Sequence, residues 1–295
     1  MRKKILVILN PVSKNGKNRR YVDRVVRHLR MQLCDVCIYE TSSAGDAISY
    51  LLNLKEKFDV IVAAGGDGTV NEVINGMVHI KTTPLALIPA GTTNVLAKEL
   101  GLPRRVKAVS DVITNGLAMP VYLGQLNDRR FSMMVGLGYD AWVVNRVNLK
   151  VKKHFGKLAY VISMFQQLFT FGKQSFVTEI DGRVISASSM IVTQGKYYAG
   201  SFVLSKKADL SVPSMQAVVI ETQSWWKFFL TVLALPFGLM ENLPFVQSIS
   251  AKEIKIKSLV SKPDLDVLQI DGDPAGTLPA FLKIEEEPIS ILVKK

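Results

Sequence analysis

The sequence predicts an α/β protein in which an N-terminal parallel sheet, covered by helices, precedes a second, mainly antiparallel β domain. Three observations predict it. Buried-strand and helix patterns alternate through the first ~120 residues; beyond them the pattern changes to apolar, strand-like segments separated by turns; and Asp181-Gly182 lies between two of those segments as a hairpin signal.

In chain order, residues 4–9 form an apolar run before a turn, 19–33 carry helical periodicity, 36–39 suit a strand and 44–54 a helix. Residues 59–64 then form a strand that feeds Gly65, followed by a helix over 69–77, a strand over 85–88 and a helix over 93–100. Strands alternating with helices in this order give a parallel sheet with helical cover. Beyond it, strand-like runs fall at 130–135, 175–180, 184–193, 216–220, 254–256 and 266–270, interrupted by helical segments at 140–148 and 158–171. The expected division is therefore 1–121 and 122–295, with the C-terminal tail a candidate to return to the first domain. No internal repeat or low-complexity tract is present.

At 295 residues and 48% apolar content the chain can bury a substantial core. Cys34 and Cys37 are too few for a disulfide framework and have no second pair to complete a zinc site. The basic start Met1-Arg-Lys-Lys4 is followed by too short an apolar run for a signal peptide, so a cytoplasmic protein is expected. The apolar stretch 225–240 is broken by Lys227 and Pro236 and falls short of the ~20 residues that span a bilayer. A net charge of +12 favours an anionic partner. No nucleic-acid module is recognisable, which leaves a membrane surface as the better candidate.

The chemistry is concentrated at strand ends. Residues 60–73 read Val-Ile-Val-Ala-Ala-Gly-Gly-Asp-Gly-Thr-Val-Asn-Glu-Val. Gly65, Gly66 and Gly68 let the backbone turn sharply after a buried strand and approach a ligand closely, and a helix starting near Thr69 aims its N–H groups and positive dipole at the turn. This is a phosphate cradle. Asp67 would repel a phosphate unless Mg²⁺ or its water lay between them. The plainer reading is a glycine-rich strand-to-helix turn capped by Thr69. Pro89-Ala-Gly91-Thr92-Thr-Asn94 repeats the arrangement after another strand, and Asn10-Pro11-Val-Ser13 follows the first. Turns on neighbouring parallel strands face one crevice at the carboxyl ends of the sheet.

These motifs, taken in order, resemble those of the diacylglycerol kinase catalytic-domain family, which includes sphingosine and ceramide kinases. Gly136-x-Gly138-x-Asp140-Ala141, Phe155-Gly156-Lys157 and Asp271-Gly272-Asp273 resemble the same family's C-terminal motifs. The resemblance implies an ATP site in the first domain, a β-sandwich-like second domain and an active site in the cleft between them. It implies that Asn10, Ser13, Thr41, Gly66 to Thr69, Glu72 and Thr92 contact or shape the ATP site, together with the turn residues Gly65, Gly91 and Asn94. ATP and Mg²⁺ are the implied cofactors and a lipid alcohol such as diacylglycerol the acceptor. Asp273 stands where the family commonly has Glu and would accept the lipid hydroxyl's proton; locally, Asp-Gly-Asp-Pro also reads as an ordinary turn. Val95, Tyr122 and Ser211-Val212-Pro213 stand where many members carry metal-linked carboxylates, leaving Asp67 as the metal-ligand candidate.

Rival readings are an NAD kinase, which shares the GGDGT signature, and a lipid-binding homologue impaired in catalysis. Gly136-x-Gly138-x-x-Ala141 could pass for a dinucleotide fingerprint, but no acidic residue lies about 20 positions on to hold a ribose. His28, His79 and His154 are scattered, and neither a G-x-S-x-G elbow nor a Walker A motif is present. Lys150, Lys152, Lys153 and Lys157 precede the apolar segment 158–171 and suggest docking on an anionic membrane, although a core helix with a basic lead-in fits the same pattern.

Overall fold

The computed structural model describes residues 2–11, 18–146, 175–259 and 265–295. The chain divides into two compact units, Met1–Val121 with Glu287–Lys295, and Tyr122–Glu286.

In the first unit, strands β1 (Lys4–Leu9), β2 (Asp35–Glu40), β3 (Val60–Gly65), β4 (Leu85–Pro89) and β5 (Leu117–Val121) alternate with helices α1 (Arg19–Met31), α2 (Asp46–Leu52), α3 (Asp67–Gly76), α4 (Val95–Glu99) and α5 (Val106–Asn115). The sheet order is β2-β1-β3-β4, then the chain's last strand Ile289–Val293, then β5. The first four strands are parallel. The last strand is parallel to β4 and antiparallel to β5. Because β1 pairs with β2 on one side and β3 on the other, the order reverses at β1/β3, and right-handed crossovers put α1 and α2 on opposite faces. Val22, Val25, Val26 and Leu29 of α1, with Val109, Val112 and Ile113 of α5, form one core with Ile5, Val7, Val60 and Val62. On the other face α2 and α3 pack closely at Gly76, where a Cβ would lie 2.8 Å from Leu51 Cβ.

The second unit contains β6 (Gly124–Leu126), β7 (Arg129–Phe131), β8 (Met134–Leu137), β9 (Phe176–Ile180), β10 (Arg183–Ala187), β11 (Ser189–Thr193), the short pair β12 (Tyr197–Tyr198) and β13 (Phe202–Val203), β14 (Met215–Ile220), β15 (Val246–Ala251), β16 (Glu253–Ser258), β17 (Val267–Ile270), β18 (Asp273–Thr277) and β19 (Ala280–Ile284). Helices α6 (Tyr139–Arg146) and α7 (Trp225–Ala234) join them. Two antiparallel sheets result, β10-β9-β16-β19-β6-β7 and β15-β14-β11-β8-β17-β18. They share one core, with Phe131, Phe176, Ile254 and Leu282 from the first meeting Val135, Met190, Ala217 and Leu268 from the second. This is a β-sandwich.

Two runs that read as single strands are each divided between the sheets. The run 184–193 leaves one sheet at Ala187 and enters the other at Ser189, and Ser188 at the crossing is buried and bonded to Ile220 O (3.1 Å). The run 130–135 divides at Ser132-Met133, whose amides are held by Asp271. The Asp181-Gly182 hairpin forms as expected, with positive φ at both residues (46° and 84°) and Ile180 opposite Arg183. Segment 158–171, the four lysines before it and Phe155-Gly156-Lys157 lie outside the described residues, as does Ser13.

Candidate functional site

The four N-terminal parallel strands end together. Asn10 N donates to Ala64 O (3.2 Å), Thr41 N to Leu9 O (2.9 Å) and Ala90 N to Gly65 O (2.9 Å), so hydrogen bonding continues one residue past β1, β2 and β4. Asn10, Thr41, Gly65 to Thr69 and Gly91 to Asn94 therefore gather at the carboxyl end of this sheet, at and beside the β1/β3 reversal where open α/β sheets bind ligands.

Helix α3 begins at Asp67 with Gly66 as its N-cap, two residues earlier than the sequence suggests, so Thr69 is not the cap but lies in the first turn, 6% exposed. Gly65 is needed for that packing: a Cβ there would fall 2.2 Å from Thr69 Oγ1. The N–H groups of the first turn have no carbonyl four residues back within the helix and face the strand-end turn. Gly68 and Thr92 are exposed while Thr69 and Asn94 are buried, so the two turns present their tips and hide their anchors. Glu72 is half-buried one turn on from Gly68, on the same helix face.

The turns are joined to each other. A Cβ on Gly91 would stand 2.3 Å from Gly66 Cα, so the backbones of the two glycines pass in direct contact. Asn94, buried at φ 50°, closes its own turn: its Nδ2 donates to Gly91 O (2.8 Å) and its Oδ1 accepts from Gly91 N (2.8 Å). Asp67 then reaches across, its Oδ2 accepting from Asn94 N (2.9 Å) and its Oδ1 from Val95 N (2.6 Å). The carboxylate thus supplies the first amides of α4 with an anionic acceptor. This anchoring role was not legible, because nothing local links positions 27 and 28 residues apart. Asp67→Ala is expected to lower unfolding stability by ~1–3 kcal/mol by orphaning two donors, with Asp67→Asn intermediate; urea unfolding checks it.

Asp273 belongs to the second unit. Asp271 and Gly272 are the positive-φ tip (49° and 90°) of the β17–β18 hairpin, and Asp273, opposite Ile270, is the first residue of β18 and exposed. Asp271 is committed elsewhere. Its Oδ2 accepts from Ser132 N (2.9 Å) and Ser132 Oγ (3.0 Å), and its Oδ1 from Met133 N and Met134 N (2.9 Å each). Asp271→Asn should cost ~1–3 kcal/mol, since an amide cannot accept at both positions; unfolding midpoints check this.

Gly136-x-Gly138 serves the interior of this unit. A Cβ on Gly136 would lie 1.6 Å from Asp140 Oδ2, so the glycine makes room for that carboxylate. Asp140 is buried and accepts from Tyr198 OH and from Gln269 Nε2 (2.8 Å); burial pushes its pKa up, opposed by these two donors. The turn at Ser211 is closed by Asp209, whose Oδ1 takes Ser211 N (2.9 Å) and Oγ (2.7 Å). Cys34 and Cys37 are free thiols. No described helix is long and apolar enough to cross a membrane.

A doubly wound unit with glycine turns at its switch point and a β-sandwich unit define a two-unit α/β architecture, and comparison with known proteins gives its family. Residues 4–126 match the diacylglycerol kinase catalytic domain, and residues 133–293 match the YegS C-terminal NAD kinase beta sandwich-like domain. A diacylglycerol kinase of Staphylococcus aureus (strain bovine RF122 / ET3-1) is 31% identical over 290 residues, covering 97% of this chain and 91% of that protein. One from Bacillus subtilis (strain 168) is 29% identical over 282 residues, covering 94% and 92%. A crystal structure of a Bacillus anthracis str. Sterne diacylglycerol kinase shares the fold, with TM-score 0.80 and 24% identity over 99% of this chain and 97% of that one. The chain belongs to the diacylglycerol kinase catalytic-domain family, a family of lipid kinases.

Proposed function

We propose that the protein is an ATP-dependent lipid kinase that transfers the γ-phosphoryl group to the hydroxyl of a lipid alcohol, diacylglycerol or a close relative. The observation that carries this reading is the joined pair of strand-end turns. Gly65 to Thr69 and Gly91 to Asn94 meet backbone to backbone at the switch point, with exposed tips and the start of α3 directed at one place. Such a surface suits a polyphosphate, because amides and a helix dipole stabilise anionic oxygens without needing a side-chain cation.

In this reading the amides around Gly66 to Thr69 cradle the phosphates, and Asn10, Thr41, Glu72 and Thr92 shape the rest of the nucleotide site. Ser13 is carried on the resemblance alone. Mg²⁺ fits as an ion brought mainly by the nucleotide's phosphates and water, because both carboxylate oxygens of Asp67 already accept amides of the Asn94 turn and α4. When bound, it would neutralise charge on the β- and γ-phosphates. Asp273 is the proton acceptor at the lipid hydroxyl: it is an exposed carboxylate directly after the β17–β18 hairpin tip, at the position where the family's motif carries its acid.

The acceptor is tested by competition. Purified protein with MgATP is offered mixed micelles holding equal amounts of diacylglycerol and ceramide, with NAD⁺ in solution. The expected outcome is phosphorylated diacylglycerol as the main product. NADP⁺ as the main product would replace the reading with an NAD kinase, and nucleotide binding without product would replace it with a lipid-binding homologue.

A further inference from the structure

The segment 225–240 has no part in the site described above, and its surface is unusual for a protein exterior. Helix α7 packs inward through Phe228, Thr231 and Val232, with Phe228 against the Tyr139 ring at 5.2 Å between centroids. Its most exposed side chains are all apolar. Trp225 is 56% exposed, Trp226 49%, Leu233 42%, and in the turn that follows Phe237 is 76% and Leu239 47% exposed. Single exposed apolar residues are ordinary, but five in fifteen positions, two of them adjacent tryptophans, mark an interaction surface.

Within this segment the charge is positive. From Gln223 to Met240 the only charged residue is Lys227, whose Nζ sits 5.7 Å from the Trp226 ring centroid and 5.3 Å from that of Phe245, at the edge of the aromatic surface. Exposed Lys206 and Lys207 border it. Their loop is tied to this segment by Ser205 Oγ and Lys206 N, which donate to Glu241 (2.7 and 3.3 Å), and by Val203, which lies against Gly238. Glu241, the acid nearest in sequence, is thereby occupied.

We propose that Trp225, Trp226, Leu233, Phe237 and Leu239, rimmed by Lys206, Lys207 and Lys227, form a docking surface for an anionic lipid bilayer. Tryptophan is favoured where headgroups meet hydrocarbon, lysines beside it meet anionic headgroups, and a ten-residue helix is too short to cross but can lie in the interface. A second copy is a poorer occupant, because a twofold contact through this face would set the same lysines against themselves. Bilayer contact stands on this surface alone; that the contact serves substrate delivery rests on the lipid-kinase reading.

The test uses intact protein without ATP and vesicles of phosphatidylcholine with 30% phosphatidylglycerol, or phosphatidylcholine alone, at about 0.1 M salt. Trp142 is buried, so iodide reports mainly Trp225 and Trp226. Anionic vesicles should shift indole emission to the blue and reduce iodide quenching. The double variant Trp226→Gln/Phe237→Gln should partition roughly tenfold or more weakly, and Lys206→Gln/Lys207→Gln should reduce binding to anionic vesicles alone. Both should unfold at the parental temperature and phosphorylate a short-chain, detergent-dispersed acceptor normally. If the parent phosphorylates lipid yet its indoles stay quenchable on bound vesicles, docking lies elsewhere and this proposal fails while the kinase reading stands. Sedimentation velocity showing a lipid-free dimer that Phe237→Gln dissociates would assign the face to self-association instead.

Discussion

Asp273→Asn is expected to reduce turnover by roughly 10²–10⁴-fold while leaving MgATP affinity close to the parent's. The two side chains have nearly the same size, and Asp273 lies just beyond the hairpin tip, whose turn conformation belongs to Asp271 and Gly272. The change therefore removes basicity with little disturbance of β17 and β18. Asp273→Glu, which restores the family's usual residue, should keep measurable activity, its carboxylate reaching one methylene further. Asp271→Asn provides the contrast: it should show its defect first in unfolding, because that carboxylate holds the 132–134 turn. Turnover by Asp273→Asn at the parental rate would mean that another group takes the proton.

Gly91→Ala is expected to damage both the fold and the nucleotide site. The added carbon would sit 2.3 Å from Gly66 Cα and 2.8 Å from Asn94 Oδ1, against backbone on one side and a buried amide on the other. Neither can rotate away. Overpacking of this kind costs ~1–3 kcal/mol, and relief by separating the turns would also spoil the cradle, so more than a tenfold loss of turnover should accompany the lower unfolding midpoint. Gly66→Ala gives the informative comparison: among the described residues its Cβ meets only Gly91 Cα, at 3.3 Å, so the fold should persist while phosphate approach is obstructed. Thermal unfolding and MgATP titration of both variants separate the two effects. Equal behaviour would argue against a cradle built on close backbone contact.

The strand-end turns were legible because each carries its chemistry locally, as glycine, hydroxyl and amide residues directly after a buried strand. The alternation that gave β1 to β4 was equally local. Less visible were features fixed by distant partners. Strand β5 and the final strand Ile289–Val293 complete the first sheet although the whole second unit separates them in sequence, and no local pattern states that pairing. The runs 130–135 and 184–193 each read as one strand, yet each changes sheet, and residues on both sides of the crossing face the same sandwich core. The segment 225–240 showed its apolar character but not its helix, since its exposed face is apolar as well as its buried one and the 3.6-residue contrast is weak. Asp67 illustrates the same limit at the site itself. Its residue type suggested a metal ligand, whereas its contacts with Asn94 and Val95 make it the link between the two turns.

The central claim is phosphoryl transfer to a lipid hydroxyl, and isotope transfer tests it most directly. The protein is incubated with Mg²⁺, ATP carrying ¹⁸O in its γ-phosphoryl group and diacylglycerol in mixed micelles, and the lipid fraction is read by mass spectrometry. The expected result is phosphatidic acid bearing the three labelled oxygens, formed by the parent and reduced by at least ~100-fold with Asp273→Asn. Unlabelled lipid after full incubation, with the label released as inorganic phosphate or held on a water-soluble acceptor, would contradict it.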